Sequence, residues 1–150
     1  MYELSNAHLH VYVHIYAVLH IPAYVRPYKL LHEYDERIYN KAVENKESAI
    51  STGRVSFKAE NAEYFAVPKE VDRIYFFNPF SLEILQKVMH KILESYYENP
   101  REMKLLFYYP SDEYISYLMT VNELMFADEI DCRDLFQKND SREKIVIFEL

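Results

Sequence analysis

The sequence predicts an α/β fold with three layers: a mostly parallel sheet, helices against both of its faces, and an antiparallel pair of strands at the C-terminal end. Two observations carry this. Val71–Phe77 (VDRIYFF) and Met103–Tyr109 (MKLLFYY) are compact hydrophobic runs separated by an amphipathic stretch. That is the pattern of a β-α-β unit, whose strands are parallel and whose crossover is right-handed. Two later apolar runs, Leu124–Ile130 and Lys144–Leu150, are joined only by the polar segment Asp131–Glu143, which suggests the antiparallel pair. At 150 residues the chain fits one domain, 1–150.

Taken in order, the elements read as follows. Residues 8–19 (HLHVYVHIYAVL) alternate apolar with polar or aromatic side chains, a strand period, yet Leu9, Val13, Tyr16 and Leu19 also make one side of a helix. Both readings stay open, with the β-branched and aromatic content favouring strand. Pro22 and Pro27 break any helix and leave Tyr28–Leu31 as a short extended piece. From Asp35, a potential cap, to about Ser51 the stripe Ile38, Ala42, Val43, Ile50 predicts a helix, ended by Thr52-Gly53. Arg54–Lys58 is a short strand, followed by a polar loop through Pro68.

Asn78-Pro79 stops the strand at 71–77, because proline cannot donate to a ladder. Ser81 caps a helix with Ile84, Leu85, Val88, Met89, Ile92 and Leu93 at helical spacing, closing near Glu98 before Asn99-Pro100. Pro110 ends the second strand, and Ser111 caps a short helix holding Tyr114, Ile115 and Leu118. In such sheets ligands sit beyond the carboxyl ends of the strands. Asn78, Pro79 and Phe80 fall there, and Tyr108, Tyr109 and Tyr114 are candidates to line a substrate pocket.

Composition excludes several kinds of site. With Gly53 as its single glycine the chain has neither a P-loop nor a G-x-G-x-x-G turn. One cysteine, Cys132, allows no internal disulfide and no cysteine-based zinc site, and no motif makes it a nucleophile. A net charge of −7 argues against non-specific nucleic-acid binding. Leu9–Val25, broken by His14, His20 and Pro22, has no run long enough to span a membrane and no signal-peptide pattern, so a cytoplasmic location is expected. His8, His10, His14 and His20 invite a metal hypothesis, but no carboxylate stands among them and H-E-x-x-H is absent, so no metal site is assigned. The 15 tyrosines and 9 phenylalanines sit mainly in strands and helix stripes without interleaved basic residues, which favours core packing over base stacking. Glu94, Glu98 and Glu102 read as a solvated face.

The run Asp72–Ser81, DRIYFFNPFS, resembles motif IV of class I S-adenosylmethionine-dependent methyltransferases, in which the fourth strand ends in Asp/Asn-Pro-Pro-Tyr/Phe or a related tetrapeptide. The flanks are similar: an amphipathic helix, NPRE at 99–102, an aromatic strand LLFYY and a helix. The chain looks most like small bacterial homologues with an FFNPF strand end, over residues 28–150 and more loosely over 8–27. The resemblance implies a Rossmann-like methyltransferase sheet, N-terminally truncated, with 1–27 as a divergent N-terminal segment, and S-adenosylmethionine as cofactor. HEYDERIYNKAVENK (32–46) looks like the end of the second strand and its helix, which puts Glu33 where an acidic residue accepts hydrogen bonds from both ribose hydroxyls. VSFKAENAEYF (55–65) looks like the third strand and its loop, with Asn61 facing the adenine amino group and Ala62 leaving room for the ring. Asn78, Pro79 and Phe80 correspond to the residues that orient the acceptor; in amino-group methyltransferases the Asn side chain and the next carbonyl hold the target nitrogen.

One departure stands out. The family's first strand and its turn, E/D-x-G-x-G-x-G, would precede the segment 8–20, where only Met1–Ala7 remains, without glycine. Either residues 8–19 take the place of that strand, or the sheet closes another way, with a second copy pairing on an exposed edge to give a homo-oligomer. Two functions follow: a methyltransferase of unspecified acceptor, or a non-catalytic binding or assembly module on the same fold.

Overall fold

The β-branched and aromatic runs form one seven-stranded sheet. The computed structural model describes residues 15–19, 28–33, 36–48, 55–59, 61–64, 66–77, 81–136 and 140–150. In chain order these hold β1 (Ile15–Leu19), β2 (Tyr28–Glu33), α1 (Glu36–Ser48), β3 (Val55–Ala59), a 3-10 turn (Ala62–Tyr64), β4 (Arg73–Phe77), α2 (Leu82–Glu98), β5 (Lys104–Tyr108), α3 (Asp112–Leu118), β6 (Met125–Asp131), α4 (Arg133–Phe136) and β7 (Lys144–Glu149). The spatial order is β3-β2-β1-β4-β5-β7-β6.

The open reading of 8–19 resolves, for its second half, as strand; residues 8–14 lie outside the described residues. β1 occupies the centre of the sheet and runs antiparallel to both neighbours, Ile15 facing His32 of β2 and Phe76 of β4. β2 pairs parallel with β3, and β4 parallel with β5. At the other end β7 runs antiparallel between β5 and β6, the expected C-terminal pair. Five strands therefore point one way, and β1 and β7 point the other. The step β2→β3 leads away from the centre in one direction and β4→β5 in the other, so right-handed crossovers set α1 and α2 on opposite faces. Ala42, the buried residue of α1, accordingly stands outside the core cluster that α2 builds.

Burial alternates along the strands. Ile74 and Phe76, Leu105 and Phe107, Val146 and Phe148 are all but fully buried, while the residues between them are half-buried. Onto the buried face α2 lays Leu85, Val88, Met89 and Ile92, and α3 lays Tyr114 and Leu118. Within that layer Phe76 and Phe107 stack at 4.5 Å, and Phe148 meets Phe107 edge-on at 6.1 Å. The two serine caps are in place: Ser81 Oγ accepts from Ile84 N at 3.4 Å and Ser111 Oγ from Tyr114 N at 3.3 Å, while Asp35, the third predicted cap, lies outside the described residues. Two short turns fall in segments expected to be irregular, and each is started by an Asx side chain. Asn61 Oδ1 accepts from Glu63 N, and Asp131 Oδ1 from Arg133 N.

At the sheet end opposite the predicted ligand side, Arg101 ties the β4-α2-β5 unit together. Its guanidinium donates to the carbonyls of Val71 (2.6 Å), Asn99 (2.8 Å), Ser95 (3.0 Å) and Pro68 (3.4 Å) and to Ser95 Oγ (3.0 Å). The last turn of α2, closed by the Asn99 N–H on the Ser95 carbonyl, is thereby fastened to the loop that feeds β4. Hydrogen bonds from a charged donor contribute more than neutral ones, and leaving such carbonyls without a donor is costly. Arg101→Ala is expected to lower unfolding free energy by about 2–4 kcal/mol, with Arg101→Lys recovering less than half, because an ammonium cannot reach the fork of carbonyls. Urea denaturation midpoints measure this, and a loss under about 1 kcal/mol would show that water replaces the guanidinium.

Candidate functional site

Because β2, β3, β4 and β5 share a direction, their carboxyl ends form one rim, and crossovers leave the centre of the sheet in opposite directions there. That is the topological switch point at which open α/β sheets bind ligands. Glu33 is the last residue of β2, in register with Ala59 of β3. Phe77 is the last residue of β4, in register with Tyr108 of β5. Between them stands the start of β1, so β2 and β4 are two strand spacings apart, roughly 10 Å. Asn78, Pro79 and Phe80 follow directly but lie outside the described residues.

Asn61 sits beyond β3 at the same rim. Both ends of its amide are engaged by Glu63: Oδ1 accepts from the backbone N at 3.0 Å and Nδ2 donates to Oε2 at 3.1 Å. A carbonyl oxygen has two lone pairs, so Oδ1 keeps one acceptor site. Ala62 is buried in the core cluster beneath α2. Glu63 in turn takes Lys87 Nζ at 2.6 Å, and that hydrogen bond holds its carboxyl below the usual range. Lys87 also meets Glu83 at 3.2 Å. Glu63, Lys87 and Glu83, with Tyr64 and His90, border an open groove of about 500 Å³ between the 3-10 turn and α2, which Asn61 and Ala62 do not line.

On the other side of the switch point the rim is aromatic and tightly bonded. Phe77 stacks on Tyr108 at 5.1 Å. Tyr108 donates its hydroxyl to Glu143 at 2.5 Å, and burial together with that bond pushes its pKa up. Tyr109 has φ 54°, the left-handed region that a bulky residue avoids. It is clasped there: its N–H donates to the Lys144 carbonyl at 2.9 Å, its hydroxyl donates to Asp140 at 2.6 Å, and Arg142 lies 4.4 Å over its ring while bonding its oxygen. Of the predicted pocket tyrosines, then, Tyr108 and Tyr109 are at the rim with engaged hydroxyls, whereas Tyr114 is buried under the sheet. No pattern in the sequence marks Asp140 and Arg142, which meet Tyr109 across the β5–β7 pairing.

Cys132 is buried, its thiol turned onto the Ile130 carbonyl at 3.6 Å. Glu94 is exposed on α2, bridged to Lys91 at 3.0 Å and His90 at 3.2 Å. His8, His10, His14 and His20 lie outside the described residues, among which no group of three metal-ligating side chains occurs. Nor is any helix among them long and apolar enough to cross a membrane.

Two solved structures are similar to this one. A protein from Haemophilus influenzae described as a methylase superposes with a TM-score of 0.52 at 12% identity, covering 80% of this chain and 64% of that one. One from Clostridium thermocellum described as an rRNA-methylase superposes with a TM-score of 0.55 at 12% identity, covering 80% and 70%. This chain thus spans just under two thirds of the first. The fold is that of a Rossmann-like methyltransferase sheet. No protein-family model matches the sequence, and no curated protein does.

The clasp around Tyr109 has a pH signature. The Tyr109 hydroxyl, the Arg142 backbone N–H and its guanidinium hold the Asp140 carboxyl at about 2, against an ordinary 3.8. Between those values the unfolded chain binds more protons than the folded one, so stability rises with pH across that window. The contribution is complete above the ordinary value and is lost as pH falls through about 2. Asp140→Asn is expected to flatten the acid limb of the stability curve between roughly pH 4 and pH 2, read from urea midpoints at each pH. An unchanged slope would remove Asp140 from the account.

Proposed function

We propose that the rim holds the nucleoside part of S-adenosylmethionine and presents a methyl acceptor beside it, as the sequence resemblance implies. The observation that carries the reading is that β2, ending at Glu33, and β4, ending at Phe77, finish on one rim with only β1 between them. On this reading Glu33 accepts the two ribose hydroxyls, Asn61 offers its remaining lone pair to the adenine amino group, and Ala62 keeps bulk away from the ring. Asn78, Pro79 and Phe80 orient the acceptor, so that effective molarity replaces diffusion. The cofactor, when bound, supplies an electrophilic methyl sulfonium; the residues bind and orient, with little acid–base chemistry.

The residues at hand suit the nucleoside end better than the methionine end. In the family the glycine turn leaves the first strand at this rim, whereas here β1 runs the other way and begins at it. The chain's one glycine, Gly53, lies after α1. That observation favours a second reading, a module that has kept the fold and binds without transferring.

Titration calorimetry with S-adenosylmethionine, S-adenosylhomocysteine and adenosine separates them. The first reading expects saturable micromolar binding, weakened about 10–100-fold by Glu33→Ala, which removes a charged acceptor of two hydrogen bonds. Adenosine binding as tightly as S-adenosylhomocysteine would point to a nucleoside site alone. No binding at millimolar ligand would leave the module.

A further inference from the structure

Among the described residues β6 ends the sheet, bonded to β7 on one side only, and all seven of its residues are exposed. Five of the seven exposed large apolar or aromatic side chains among the described residues lie on it or beside it in sequence. They are Met119, Met125 (67% exposed), Phe126 (52%), Ile130 (45%) and Leu135 (75%). Register with β7 distributes them over both faces: Phe126 lies opposite the buried Phe148, Met125 opposite Glu149 and Ile130 opposite Ile145. A strand edge of this kind offers unpaired N–H and C=O groups flanked above and below by apolar contacts, the arrangement into which an extended chain adds as a further strand.

Charge selects the occupant. Over 119–136 the acids are Glu123, Asp128, Glu129, Asp131 and Asp134, against Arg133 alone. Arg133 is held on Asp131, and Lys144 of β7 on Glu129 at 3.0 Å, so the surplus is negative. A second copy paired antiparallel on the middle of this strand would set Asp128 against Asp128 or Glu129, and like charges directly opposed destabilise a ladder. The register shift between Phe126 and Asp128 further bends the edge away from a long flat self-pairing. An opposite-sign segment meets no like-charge obstacle along Asp128–Asp131, with Phe126 and Ile130 as apolar anchors on the two faces.

We propose that the β6 edge takes up an extended segment of another protein, alternating apolar residues with Lys or Arg, as an eighth strand. The test uses the full chain and a fluorescent octapeptide, Lys-Val-Lys-Ile-Lys-Val-Lys-Ile, with two relatives: one N-methylated at alternate residues, with identical side chains and charge, and one with Glu for every Lys. The proposal expects saturable anisotropy binding of the basic peptide, at least 10-fold weaker for either relative. Asp128→Lys and Ile130→Lys, both at exposed positions, should each weaken it several-fold, and the basic peptide should slow hydrogen exchange of the β6 amides. Equal binding of the N-methylated peptide would show attraction to an acidic surface without strand addition and would overturn the proposal. So would no binding at millimolar peptide, or protection confined to amides away from β6. A concentration-dependent dimer in sedimentation, abolished by Ile130→Lys, would make a second copy the occupant and equally overturn it.

Discussion

The hydrogen bonding of β1 on both of its edges is the constraint on which the sheet depends. Among the described strands it alone links β2–β3 to β4–β5–β7–β6 by ladder hydrogen bonds, while the turn after β3 also meets α2 through Glu63 and Lys87. Without it, β2 and β4 would each present an open edge in the middle of the molecule. The ladder imposes spacing and pairing but accepts a central strand in either direction, and antiparallel pairs are if anything slightly more stable per residue. Direction decides something else, namely which connection emerges at the ligand rim. A parallel first strand would leave at that rim through a turn in which glycine lets the backbone approach a ligand. A reversed one begins there. The reversal of β1 and the absence of glycine ahead of Gly53 are therefore consistent with one another, since the turn that needs glycine is not formed at this place.

The half that holds β4 and β5 is firmly built. On the β4 side, a buried aromatic layer of Phe76, Phe107 and Phe148 is clamped by α2 and α3, and Arg101 fastens the far end. At the near end Tyr109 is held in a conformation costing on the order of 1–2 kcal/mol, which persists because Lys144, Asp140 and Arg142 fix it from β7 and its lead-in. Strain of that kind fixes where β5 stops, and through the Tyr108–Phe77 stack it also bears on where β4 stops.

Much of this was legible in the sequence. The runs VDRIYFF and MKLLFYY, the serines at 81 and 111, and the stripe from Leu85 to Ile92 each gave element and cap together, since local chemistry and tertiary position agree there. The segment 8–19 was ambiguous for a physical reason. Its alternation satisfies two periods, and what selects strand for Ile15–Leu19 is the pair of waiting edges, which no local window contains. Its direction was not legible at all. The 3-10 turn at Ala62 and the helical turn at Arg133 depend on single Asx side chains inside polar segments, where the same residues serve equally well in loops. Arg101 and the Asp140–Arg142 clasp are likewise long-range contacts: five carbonyl or hydroxyl bonds for one arginine leave no trace in spacing. Of the site residues, Glu33 and Asn61 could be placed at the rim from resemblance alone, but the engagement of Asn61 by Glu63 could not.

The candidate site is split across that central joint. Glu33 ends β2 and Asn61 follows β3, while Phe77 and Tyr108 end β4 and β5, and the strand ladder joins these two sets through β1. Ile15 is opposite His32 on one side and Phe76 on the other, so a single register fixes how far the carboxyl end of β2 stands from that of β4. A one-residue slip on either side would displace one set along the strand by about 3.4 Å and turn every side chain of the slipped strand to the opposite face. Register is strongly specified where one face is buried, and β4 has such a face in Ile74 and Phe76. The core under β4 thereby contributes to the geometry of residues on β2 that it does not touch. This register sets the spacing between the carboxyl ends of β2 and β4, and that spacing is what any ligand crossing the switch point would meet.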